Sequence, residues 1–140
     1  MRAQRVETRL HRVLSLKAAS RLAAWVCIVA IAILSLVPKI TRTELGGHAE
    51  HVLAYAGTAF IVAMAYGERG IVQILFALLA YAGVLEFLQR FSPGRTPSFE
   101  DFMFSAAGVL VGMVASVLLK KLLGIRPRDP NLSTTRRSGC

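Results

Sequence analysis

Four long apolar runs, each closed by charged or turn-forming residues, set the pattern of the chain. They read Leu22–Val37, ended by Pro38 and Lys39; Val52–Tyr66, between His51 and Gly67-Glu68-Arg69; Ile71 to about Phe91; and Phe102–Leu119, between Asp101 and Lys120-Lys121. A helix of a soluble bundle would carry a polar stripe at the helical period. The first and fourth runs have none and are apolar all round, the pattern of a helix with lipid on one side and protein on the other. With flanking residues each run reaches the roughly 20 residues that cross a hydrocarbon core, and terminal Lys and Arg can snorkel past a short end. The prediction is an all-α fold, a four-helix transmembrane bundle. A cleaved signal peptide is the competing reading of the first run. Against it, Pro-Lys-Ile-Thr follows Val37 where small residues would mark a cleavage site, and three more runs come after.

Composition supports the same class. The 140 residues are 54% hydrophobic, too apolar for a disordered chain and for an ordinary soluble domain of this length. The net charge of +9 would by itself admit a nucleic-acid partner. Its distribution removes that argument. With four spans, the two termini and the middle loop share one side, and that side holds 13 of the 17 Lys and Arg. The positive-inside rule then places both termini in the cytoplasm, in a multi-pass membrane protein. Cations clustered at span ends need no nucleic acid, and no basic patch interleaved with stacking aromatics accompanies them. The expected partner is the bilayer. A homo-oligomer or another membrane protein is open as a second partner.

Three segments follow: a basic cytoplasmic stretch at 1–21, a membrane domain at 22–123, and a basic tail at 124–140 expected to be disordered. Within the first, residues 5–21 are expected to form a short helix with Val6, Leu10, Val13 and Leu14 on one face. Such a helix either lies on anionic lipid of the inner leaflet or only anchors the topology. Cys27 and Cys140 fall too far apart for an internal disulfide and form no metal motif.

The remaining polar residues gather on the other side of the membrane. His48, Glu50 and His51 precede the second run; Glu86, Gln89 and Arg90 end the third; Arg95, Ser98, Glu100 and Asp101 precede the fourth. Glu86 lies about 22 Å along its helix, inside a core of about 30 Å, and must face the bundle with a partner. Glu86, Gln89 and Arg90 share one helical face, and Arg90 four residues on is the nearest neutralising cation. Ser92-Pro93-Gly94-Arg95 reads as a type II turn, with Gly94 supplying the positive φ. Ser98 with Asp101 three later reads as a capping box; alternatively Asp101 pairs with Arg95 or Arg90. His51, Tyr55 and Thr58 form a polar stripe that would hydrogen-bond a neighbouring helix. His48 and His51 could ligate zinc with Glu86 or Asp101, but two histidines at this spacing arise easily by chance, and no metal or cofactor is expected. Gly108, Gly112 and Ser116 make a small-residue face on the fourth helix, and Ala59 and Ala63 do so on the second. These are packing faces, within one chain or between copies.

The pattern resembles the VanZ-like family of small bacterial membrane proteins. The likeness rests on His51 and Tyr55 opening the second helix and on Glu86-x-x-Gln89 ending the third. Next comes the Pro93-Gly94-Arg95 turn, and then Asp101 before a last helix containing Gly108 and Gly112. It covers roughly residues 22–120. Three positions depart: Gly47 and His48 stand where the family often has Asp-Lys, and Ser105 where it often has Asn. The resemblance implies an envelope protein from a family named for a member linked to glycopeptide (teicoplanin) resistance.

Three functions fit the polar set. The favoured one is an accessory or binding role for a polar head group at the extracytoplasmic face, through His51, Tyr55, Glu86, Gln89, Arg90, Arg95 and Asp101, because arginine suits phosphate or carboxylate. The second is a membrane-surface enzyme acting on a lipid or lipid-linked substrate, with His51 as base and Arg95 as phosphate clamp. No HExxH, GxSxG or P-loop supports it. The third is a small transporter or proton relay through Glu86, with no inverted repeat to support alternating access.

Overall fold

The computed structural model describes residues 2–37, 47–67, 70–95 and 97–125. Among them the regular elements are all helical: α1 Arg2–Leu36, α2 Gly47–Tyr66, α3 Ile71–Leu88 with a 3₁₀ turn Gln89–Phe91, and α4 Phe99–Leu122. Four stretches are long and apolar enough to cross a membrane: Leu14–Leu36, Gly47–Tyr66, Ile71–Phe91 and Phe99–Leu122. The protein is a multi-pass, four-helix membrane bundle. The first span begins earlier than the apolar run suggests, and α1 continues unbroken through the basic segment instead of forming a separate short helix there. The second span starts at Gly47, which brings His48 and His51 inside α2. Lys39, Arg42, Arg69, Arg126, Arg128, Arg136, Arg137, Cys140 and the tail from residue 126 lie outside the described residues, as do the side chains of Arg2, Arg5, Val6, Arg9, Leu10, Arg12 and Val13.

Local chemistry sets the helix ends. Gly94 has φ +77°, and the Arg95 N–H donates to the Ser92 carbonyl at 3.3 Å, which closes the turn between α3 and α4. At the other end of α4, Gly124 takes φ +64°. The Ile125 N–H reaches the Lys120 carbonyl and the Gly124 N–H reaches the Lys121 carbonyl, the paired bonds of a Schellman stop.

The main seam joins α2 to α4, with α1 packed chiefly on α2 and α3 chiefly on α4. Glycine sets the seam's depth. A Cβ on Gly108 would meet the Val52 carbonyl oxygen and Tyr55, and one on Gly112 would meet the Ala56 carbonyl and Ala59. Ala59, Ala63, Val109 and Ser116 are sealed in the same seam with no exposed surface. The Ser116 hydroxyl donates to the Met113 carbonyl at 2.7 Å, so its burial leaves no orphan donor. The small-residue faces of α2 and α4 thus meet each other within one chain.

The two helices run parallel, so their C-termini share the end of the bundle where α1 enters it. There Lys120 Nζ donates to the Ala63 carbonyl at 2.6 Å, one of the carbonyls that the end of α2 leaves without a helical partner. Arg21 sits over the Tyr66 ring, 5.6 Å from its centroid. Mid-bundle, the Tyr81 hydroxyl donates to the Ile28 carbonyl at 2.6 Å and ties α3 to α1.

Candidate functional site

The opposite, far end of the bundle collects the C-termini of α1 and α3 and the N-termini of α2 and α4. Ser98 is the N-cap of α4: its backbone is extended, and its hydroxyl accepts the Glu100 N–H at 3.2 Å. In a capping box the residue three positions on reaches back to the N-cap N–H. Asp101 holds that position, but the Ser98 N–H donates instead to Glu86 Oε1, at 2.7 Å. A carboxylate from the end of α3 therefore completes the cap of α4 and sits at its positive end. Asp101, released from that duty, lies 3.9 Å from His48 Nε2, and the His48 ring packs on Phe104 at 4.3 Å. Among the described residues the ion pairs of Arg90 with Glu86, and of Arg90 or Arg95 with Asp101, are not formed.

Arg95 is committed elsewhere. Its Nη2 donates to the Leu34 carbonyl at 2.7 Å and its Nε to the Val37 carbonyl at 3.3 Å, while the Ser92 hydroxyl donates to the Leu36 carbonyl at 2.7 Å. These are carbonyls that the end of α1 leaves without a helical partner, and a cation there opposes the negative end of the helix dipole. The Pro-Gly turn thus aims an arginine and a serine at the last turn of α1.

Inside the far end, His51 Nδ1 and Ser105 Oγ are 3.2 Å apart, with the donor set by the histidine tautomer. Tyr55 stacks on His51 at 6.4 Å with rings nearly parallel. Tyr55 is 4% exposed and Ser105 is 2% exposed, so this cluster is closed to any ligand of size. Gln89 turns inward where α3 tightens into its 3₁₀ turn, which separates it from exposed Arg90. One oxygen of Glu50 is buried with no hydrogen-bond partner among the described residues.

Between α3 and the start of α4 the surface opens into a groove of about 470 Å³ lined by Gly83, Glu86, Phe87, Arg90, Pro97, Ser98, Phe99 and Phe102. Gly83 and Phe102 leave its floor shallow, a Cβ at Gly83 being in ordinary contact with the Phe102 ring. Its walls include three phenylalanines, and its charged groups are the half-buried Glu86 and the exposed Arg90. Arg90 has no ion-pair partner among the described residues. A free guanidinium beside aromatic walls offers bidentate hydrogen bonds to an anion and apolar surface to whatever the anion is attached to. Among the described residues no three His, Cys, Asp or Glu side chains are grouped to hold a metal.

Of the residues singled out in the sequence, Glu86 and Arg90 share the groove. His51 and Tyr55 share the closed cluster, His48 and Asp101 sit together at the α2–α4 mouth, Gln89 is buried, and Arg95 caps α1. Sequence reasoning missed Phe87, Phe99 and Phe102 as groove walls, Ser92 and Lys120 as helix caps, and Ser105 as the partner of His51. Ser105 was detectable, lying four residues after Asp101 and so on the same face of α4. A family model described as VanZ/LLP1 matches residues 10–120. No curated protein and no solved structure matches the chain.

Proposed function

This chain belongs to the VanZ/LLP1 family, and from that premise we propose that it is an accessory protein of the bacterial cytoplasmic membrane that binds the phosphate-bearing head group of an envelope amphiphile. Both termini face the cytoplasm, because 13 of the 17 Lys and Arg fall on that side. The far end is then extracytoplasmic, and the basic N-terminal part of α1 and the tail meet the anionic inner leaflet. The observation that carries the reading is the α3–α4 groove, with phenylalanine side chains in its walls and at its edge Arg90, which has no ion-pair partner among the described residues. Arg95, His51 and Asp101 leave the proposed ligand set, since each has a partner inside the fold.

Two measurements test this. In a protein with Cys27 and Cys140 replaced by serine, Glu100→Cys should label from outside intact cells, and Lys121→Cys only after permeabilisation. The reverse pattern would place the groove in the cytoplasm and end the proposal. Purified protein should gain thermal stability from phospholipid added to detergent. Arg90→Gln should abolish that gain while leaving the melting temperature in detergent alone unchanged. An equal gain in both proteins removes Arg90 from the site.

A further inference from the structure

The groove also carries information about which amphiphile it fits. Its two charged groups stand at different depths. Arg90 is four residues beyond Glu86 and so about 6 Å nearer the extracytoplasmic surface. Glu86 accepts the Ser98 N–H through Oε1 and lines the groove, while its second oxygen has no hydrogen-bond partner among the described residues. A carboxylate only accepts hydrogen bonds. A phosphate held by Arg90 therefore needs a donor, not another acceptor, a short distance inward along the ligand.

Diacyl phospholipids fail that requirement. Both glycerol hydroxyls below the phosphate are esterified, and ester oxygens facing Glu86 would oppose acceptor to acceptor. A single-chain phospholipid keeps a free hydroxyl on the second carbon inward from the phosphoester oxygen. That hydroxyl donates to Glu86 while the one acyl chain continues inward past Gly83 and Phe102, with Phe87 and Phe99 flanking the head group. Resting on the head-group reading above, we propose that the α3–α4 groove is a lysophospholipid site, with Arg90 on the phosphate and Glu86 on the free glycerol hydroxyl.

Native mass spectrometry of the full chain, released from non-ionic detergent, tests this. The probes are 1-oleoyl lysophosphatidylglycerol, its analogue lacking the glycerol hydroxyl, dioleoyl phosphatidylglycerol, monooleoylglycerol and inorganic phosphate. The lysolipid should half-occupy the protein at a concentration about tenfold below the hydroxyl-free analogue and the diacyl lipid, the size of one buried hydrogen bond made or left unmade. Monooleoylglycerol and phosphate alone should bind at least as weakly. Arg90→Gln should weaken the lysolipid about tenfold or more, and Lys121→Gln, at the opposite end of the bundle, should not. Glu86→Gln supplies an amide that both donates and accepts, so it should collapse the preference for lysolipid over diacyl lipid. Should that variant not fold, the hydroxyl-free analogue tests the same contact without a mutation. Equal, Arg90-dependent binding of lysolipid and diacyl lipid would overturn this inference and leave the head-group reading standing. Binding that ignores Arg90 for every lipid would overturn both.

Discussion

The two faces of α4 behave in opposite ways. Toward α2 it presents Gly108, Gly112 and Ser116, and the helices close until backbone meets backbone. Toward α3 its first turns present Phe99 and Phe102, and a groove stays open, bridged at its end by the Glu86–Ser98 bond. In lipid there is little hydrophobic gain from helix pairing, so close packing and a few hydrogen bonds decide where helices meet. Small side chains therefore shut one side of α4, and large ones with one polar clasp leave the other side open as a groove.

Substitutions can break each half of that contrast. The largest effect belongs to Gly112→Leu. The new side chain has no room against Ala56 and Ala59 and should destabilise the bundle by about 3 kcal/mol or more, read as lost monodisperse protein in detergent. Gly83→Ala, in contrast, meets only an ordinary contact and should be tolerated. Glu86→Ala removes the tertiary half of the α4 cap and should cost about 1–2 kcal/mol, with faster hydrogen exchange at Ser98 as the local signature. Unchanged exchange there would mean the clasp does not hold α4. Arg95→Ala leaves the last carbonyls of α1 to water and should cost about 1 kcal/mol, measured by thermal melting. Smallest in stability is Arg90→Gln, expected within about 0.5 kcal/mol of the parent yet without lipid-induced stabilisation. If Arg90→Gln instead matched Arg95→Ala in melting, Arg90 would be a structural arginine like its neighbour.

The far end shows how far the sequence could be read. Glu86 had to face the bundle, because a carboxylate at that depth is costly in lipid, and the structure places it there. The i+4 rule named Arg90 as its partner, but α3 tightens into a 3₁₀ turn at Gln89, and Arg90 swings out while Glu86 takes the Ser98 N–H. The capping pattern at Ser98 and Asp101 located the start of α4 correctly and assigned the second half of the cap to the wrong chain segment. The glycine turn at Pro93-Gly94 was legible from residue type alone. That it would deliver Arg95 to α1 was not, since the carbonyls it meets lie 58 and 61 residues away in sequence.

The sequence by itself determined the class, the four helical spans, the tight turn before α4 and the crowding of polar residues at one end. Those follow from local rules of length, hydropathy and backbone freedom that a single segment carries. Only the tertiary structure decided which charged groups are spent on helix ends and which, like Arg90, have no ion-pair partner among the described residues. That choice depends on how each helix is rotated about its axis and on which neighbour's unpaired N–H or carbonyl lies within 3 Å or so, quantities no spacing along the chain encodes.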